Sequence, residues 1–266
     1  MWWNMVLLKV NNLNYNDFHD INLSFNSGNF YTFIGGNNSG KTTLFRILSS
    51  LIMTNNTINC NNILLNSKNR YLYLKNIGIV ERINKYSFNF KTVKDELMYP
   101  LINLGLFKLD ILKRIRELLD FFEVSYLLNK KVNDLNIYEK QELLIIISLL
   151  HFPKVLIMDD VLSIFNSSLR KKIIEKLNIL KKNNMVIINF SSNLDDLENT
   201  DKIILLNNFK VIKEIDYMDI YDNDKLLYDN NIEIPFIVDL SIKLKMYNVI
   251  NKNYINLKKM VDDIWE

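Results

Sequence analysis

Phe30-Tyr31-Thr32-Phe33-Ile34-Gly35-Gly36-Asn37-Asn38-Ser39-Gly40-Lys41-Thr42-Thr43-Leu44-Phe45-Arg46-Ile47-Leu48 decides the fold. A mostly apolar strand runs into a glycine turn, after which Leu44, Ile47, Leu48 and Leu51 fall at helical spacing. The turn, Gly35 to Thr42, satisfies G-x-x-x-x-G-K-[ST] between a strand and a helix, the setting in which that motif encloses phosphate. Gly35 and Gly40 permit a tight turn whose N–H groups point inward, and the positive end of the helix dipole adds to them. Lys41 would reach the β- and γ-phosphates, and the Thr42 hydroxyl would ligate Mg²⁺.

Working outward, Val6 to Val10 and Ile21 to Phe25 predict short strands ahead of the loop, separated by Asn, Asp and Gly turns. Downstream, Ile111, Ile115, Leu118, Leu119 and Phe122 form one helical stripe, and Leu143 to Leu150, apolar all round, predicts a buried helix. Val155-Leu156-Ile157-Met158-Asp159-Asp160 is a second strand signal, expected to deliver Asp159 to the far side of the metal. A helix with Leu169, Ile173, Leu177 and Leu180 follows, then the run Met185 to Phe190, and Lys202 to Leu206 with Lys210 to Ile215 as a closing hairpin. Apolar runs alternating with helices of this length imply a parallel sheet with helical crossovers. The fold class is α/β, a parallel sheet carrying a P-loop, with a helical insert at about 92–150 and a small C-terminal appendage over 216–266 beyond a core of 1–215; resemblance to ABC-transporter ATPases, carried by the loop and the strand ending at Asp159, implies its RecA-like P-loop NTPase form with an antiparallel β subdomain.

Composition sets the outer limits. The 266 residues are 48% hydrophobic and 24% charged, the balance of a globular chain able to bury a core. The longest apolar stretch falls far short of the ~20 residues that cross a bilayer, so a cytoplasmic location is expected. A net charge of +3, spread evenly, offers no footprint for nucleic acid. Cys60 is the single cysteine, which excludes an intrachain disulfide and leaves it as a small buried hydrophobe. Six glycines, no alanine and an abundance of Asn, Ile, Lys and Leu mark a bias over the whole chain.

The phosphate loop, the Walker B strand ending at Asp159 and the helical insert between them resemble the ABC-transporter ATPase family over nearly the whole chain. That resemblance implies ATP with Mg²⁺ as ligand, held by Gly35, Gly36, Asn37, Asn38, Ser39, Gly40, Lys41, Thr42 and Thr43, with Thr42 and Asp159 on the metal. Tyr15 falls where the family places an aromatic that stacks on adenine; a strand-edge aromatic in the core fits its surroundings equally. Within the family the chain is most similar to ATPase subunits of energy-coupling-factor importers. Gly78-Ile79-Val80, Thr92-Val93 and Pro100 to Leu106 carry this, together with Asp224 to Leu227, Ile232 to Pro235, Leu240 and Leu244, which resemble the C-terminal extension that helps pair two ATPases.

Five features depart from the family pattern. Leu135-Asn136-Ile137-Tyr138-Glu139 stands where the family has Leu-Ser-Gly-Gly-Gln, and no glycine occurs after Gly105 to restore it. Bulky side chains there hinder close approach to a phosphate, and Glu139 brings negative charge. Arg82 aligns with the Q-loop glutamine, Gln141 being the chain's only one; Ser191 or Ser192 aligns with the switch histidine; Asn166 replaces the D-loop aspartate. The catalytic glutamate becomes Asp160, one methylene shorter. A positioned base contributes ~10²- to 10⁴-fold, so slow or absent hydrolysis is expected.

Three functions are compatible with these residues. One is an importer subunit, peripheral on the inner face of the membrane, which binds Mg-ATP and closes against a second, different ATPase subunit beneath integral membrane partners. Another is a regulatory or structural nucleotide-binding subunit without turnover. The third, a soluble ABC protein acting on nucleic acid or the ribosome, lacks the second cassette, basic tract or coiled-coil insertion it would need.

Overall fold

The computed structural model describes residues 5–54, 56–197, 200–217, 224–230, 236–252, 254 and 257–265. β1 (Val6–Tyr15) turns back into β2 (Phe18–Asn26), and β3 (Phe30–Ile34) leads through the glycine loop into α1 (Lys41–Leu48). β4 (Ile58–Cys60), β5 (Ile63–Leu64) and the short α2 (Arg70–Leu74) precede β6 (Ile77–Glu81). Three helices follow, α3 (Val93–Asn103), α4 (Lys108–Phe121) and α5 (Ile137–Leu149), and then β7 (Val155–Asp159), α6 (Ser167–Lys182) and β8 (Val186–Ser191). The hairpin β9 (Lys202–Asn207) and β10 (Lys210–Asp216) leads to α7 (Asp224–Asp229), α8 (Phe236–Met246) and α9 (Leu257–Trp265).

The expected parallel sheet forms, with an antiparallel sheet beside it. Six strands run in the order β10-β9-β3-β8-β7-β6, and all pairings are parallel except that of β10 with β9. The smaller antiparallel sheet has the order β2-β1-β4-β5. Period-two alternation sorts the central strands between two cores. Val155 and Ile157, Val186, Ile188 and Phe190 pack with Phe33, α1 and the antiparallel sheet, whereas Leu156, Met158 and Ile187 face α3 to α6. Phe33 and Phe190 stack with centroids 4.6 Å apart beneath the glycine loop.

The helical stripe on α4 is buried through Ile111, Ile115, Leu118 and Leu119, and α5 is buried on nearly every side. Two boundaries differ from expectation. β1 extends to Tyr15 rather than stopping at Val10, because Asn12 takes a left-handed φ of 45° and absorbs a register shift between Val10 and Leu13. α1 ends before Leu51: Ser50 turns left-handed at φ 57°, which takes Leu51 out of the apolar stripe and leaves it 52% exposed. Cys60 is buried on β4, and that burial pushes its thiol up to about 12.

Beyond β10, Leu227, Val238 and Ile242 pack on Ile34, Ile203 and Leu205, while Leu240 and Leu244 pack against Ile250, Tyr254 and Met260. Ile232 to Pro235 lies outside the described residues. No helix among the described residues is long and apolar enough to cross a membrane.

Between α4, α5 and α6 a 410 Å³ cavity is lined by Phe122, Tyr126, Phe165 and Ile173 and contains Glu142. Burial, with Glu139 and Glu123 adding to it against Lys172 and Lys176, pushes the Glu142 carboxyl up to about 7. The raised value means that the folded chain holds a proton the unfolded chain has released between about pH 4.5 and 7, so stability falls as pH rises through that window. Glu142→Gln should therefore raise the melting temperature at pH 8, by roughly 2–4 °C for each ~1 kcal/mol relieved, with the gain vanishing at pH 4.5 in thermal melts.

Candidate nucleotide site

The parallel strands deliver their carboxyl ends to one edge, and the site lies along it. β3 is buried throughout, so the chain leaves the sheet at Ile34 directly into the loop. Gly35 is required there: a Cβ would lie 2.1 Å from the Leu206 carbonyl oxygen. Gly40 is at φ 103° as the N-cap of α1, and a Cβ would lie 2.8 Å from both Phe18 and Phe209. Phe209 reaches the loop because the β9–β10 turn places Asn208 and Phe209 at positive φ, as a two-residue hairpin demands. Its N–H donates to the Ser39 carbonyl at 3.0 Å, and its ring packs edge-on to Phe18.

Inside the loop, Lys41 Nζ donates to the carbonyls of Gly35 (2.5 Å) and Gly36 (3.0 Å) and to Ser39 Oγ (3.3 Å). Burial lowers the Lys41 pKa, against the pull of Asp159 and Asp160. Asn37 to Thr43, Ser192 and Phe209 surround a concavity of about 470 Å³. Loop amides, a lysine and a helix N-terminus are the components of a polyphosphate cradle. Tyr15 is not among the lining residues; it is half-buried against the core shared with the antiparallel sheet, and Phe209 is the aromatic at the rim. Of the two serines at the end of β8, Ser191 is buried and donates to Asp196 (2.6 Å), whereas Ser192 is exposed and lines the concavity.

Asp159 and Asp160 leave the end of β7. Asp159 is buried; Asp160 is half-buried in a left-handed conformation (φ 53°) held by its N–H to the Phe190 carbonyl. The parallel register pairs Glu81 of β6 with Asp159, which brings Arg82 alongside Asp160. Arg82 Nη1 lies 2.8 Å from Asp160 Oδ2, and a tight turn over Ile83–Lys85 returns Lys85 Nζ to 2.7 Å from Asp159 Oδ2. The buried Gln141 of α5 fixes this segment: its Nε2 donates to the Glu81 carbonyl (3.2 Å), and its Oε1 accepts from Ile83 N–H (2.8 Å). Neither Lys85 nor Gln141 carries a sequence motif, and the register that sets Arg82 against Asp160 is visible only in the folded sheet.

These ion pairs bear on the expected Mg²⁺ ligands, Thr42 and Asp159. A cation bound to the carboxylate that Lys85 already occupies would meet its ammonium at close range, with a repulsion of roughly 4 kcal/mol per unit of metal charge at about 4 Å in the partly screened surroundings of a protein surface. With Lys85 on its Oδ2, the Asp159 carboxylate does not fit a divalent ion, whereas Thr42 lines the concavity.

The segment aligned with the signature is equally committed. Asn136 Oδ1 accepts from the N–H groups of Tyr138 and Glu139 at 2.9 Å, and Glu139 Oε2 accepts from Asn136 N–H at 2.9 Å, a reciprocal capping box. Lys130 pairs with Glu139 at 2.9 Å. The amides through which the family's loop holds a phosphate are thus used within the chain. The Asn-x-x-Glu spacing could have revealed this box from sequence. Asn166 likewise caps α6, accepting from Leu169 N–H at 2.9 Å.

A family model for ABC transporters matches residues 18–163, more than half of the chain. The chain is 29% identical over 234 residues to the energy-coupling factor transporter ATP-binding protein EcfA1 of Lactobacillus acidophilus, spanning 85% of this chain and 82% of that protein. It is 24% identical over 250 residues to EcfA1 of Latilactobacillus sakei, spanning 93% and 89% respectively. Among solved structures it resembles cbiO1 of Clostridium perfringens, described as part of the ABC transporter complex cbiONQ. The TM-score is 0.76 at 24% identity, over 88% of this chain and 98% of that one, a likeness of fold.

Removal of the capping box should be felt locally. Asn136→Ala is expected to cost about 1 kcal/mol of stability, read as a lower urea midpoint at unchanged slope.

Proposed function

This chain belongs to the ABC transporter family, and from that premise we propose that it is the ATP-binding subunit of an energy-coupling-factor-type importer, with weak or absent hydrolysis of its own. The observation that carries this is the contrast between an intact phosphate loop, Gly35 to Thr43, and an Asp160 carboxylate engaged by Arg82. The loop supports ATP binding through its amides and Lys41. A general base must be free to accept a proton from the attacking water, and a carboxylate in an ion pair is a poorer one.

Residues 1–215 serve as the cassette, with the helical subdomain at about 92–150, and 216–266 as an extension for pairing. The working unit is a heterodimer on the inner face of the membrane, docked on integral membrane subunits. In such a dimer each site joins one chain's phosphate loop to the other's signature, so the self-capped segment around Asn136 weakens the partner's site as well. Binding without turnover suffices to shift a dimer between open and closed forms, provided ATP prefers one of them. The pairing of Asp160 with Arg82 also favours the second reading, a regulatory nucleotide-binding subunit.

The complex recovered from host membranes tests the proposal. Lys41→Ala should weaken ATP binding by about tenfold or more. Asp160→Asn should leave turnover within about twofold of wild type; a loss of ~10²-fold or greater would show that Asp160 is a working base. Recovery without any integral membrane protein would remove the importer assignment.

A further inference from the structure

Arg82, at the position aligned with the Q-loop glutamine, and Lys85, which has no counterpart in the family pattern, lie beside the phosphate loop, and each engages one of the two acids there. We propose that these side chains are built-in counter-cations, and that the loop takes its nucleoside triphosphate without a divalent metal. The inference rests on the loop being a nucleotide site.

Charge bookkeeping supports it. Asp159 and Asp160 with Lys41 alone would leave the site at −1, and a divalent ion would bring it to +1. Arg82 and Lys85 bring it to the same +1 with side chains alone. A tetra-anionic triphosphate thus meets the same net charge that a metal would supply, carried by groups tethered to the chain rather than captured from solution.

Geometry supports it independently. The Lys85 pair is anchored on a carboxylate only 6% exposed, so a metal would have to evict the ammonium from a shielded contact. Both cations keep a solvent-facing side: the Arg82 and Lys85 side chains are 40% and 39% exposed, so each retains N–H donors beyond those that hold its acid. Their backbone is held rather than loose, because Gln141 bonds on both sides of Arg82. Arg82 and Lys85 are positioning residues for the acids and candidate ligands for the phosphates.

The test is equilibrium binding of ATP and of a fluorescent trinitrophenyl-ATP to the full chain, with Mg²⁺ or with EDTA. Wild type should bind with Kd values within about twofold of each other in the two conditions. The double variant Arg82→Gln, Lys85→Gln should lose about tenfold or more in EDTA and recover most of it with Mg²⁺, whereas Lys85→Arg should keep metal-independent binding. A wild-type preference for Mg²⁺ of about tenfold or more would overturn the proposal. So would a double variant weakened equally in both conditions, which would mark a structural role. Absence of ATP binding in either condition would instead remove the nucleotide-site reading beneath it.

Discussion

The site depends on one constraint, the parallel pairing of β6, β7, β8 and β3 with both faces buried. Parallel strands send their carboxyl ends to the same edge, so the residues that follow Ile34, Ser191, Asp159 and Glu81 emerge together. The glycine loop, Ser192, Asp160 and Arg82 come from segments far apart in sequence, and register alone brings them into one row. A one-residue slip of β6 against β7 would turn every side chain of the strand to its other face and move Arg82 away from Asp160.

This dependence explains what was legible in the sequence. Local chemistry could be read: the loop from its glycines and lysine, the strands and helices from their apolar spacing, Asp159 from its place at a strand end. Pairing between distant segments could not. Lys85 and Gln141 sit in stretches with no pattern of their own, and Phe209 reaches the loop only because a hairpin folds back on Gly40. The serine facing the site, Ser192 rather than Ser191, follows from the alternation of β8 together with the bond from Ser191 to Asp196.

The asparagine bias, uninformative as a motif, has a structural use. Nine of the fifteen non-glycine residues at positive φ among the described residues are asparagines. With only six glycines in the chain, asparagine occupies left-handed positions in turns and bulges, where its short polar side chain is tolerated better than most. It also leaves the unfolded chain fewer conformations to lose than glycine would.

The Gln141 amide joins the opening turns of α5 to the backbone beside the two acids. Helix movements of 1–2 Å are typical of coupled subunits, and such a shift exceeds what a 2.8–3.2 Å hydrogen bond can stretch to follow. The amide therefore pins α5 to the segment that carries Arg82. Either α5 carries the Arg82 segment with it and uncovers Asp160, or the pin shears and a buried amide is left without partners. Displacing the helical layer therefore costs either the Arg82–Asp160 pair or the two bonds of a buried amide.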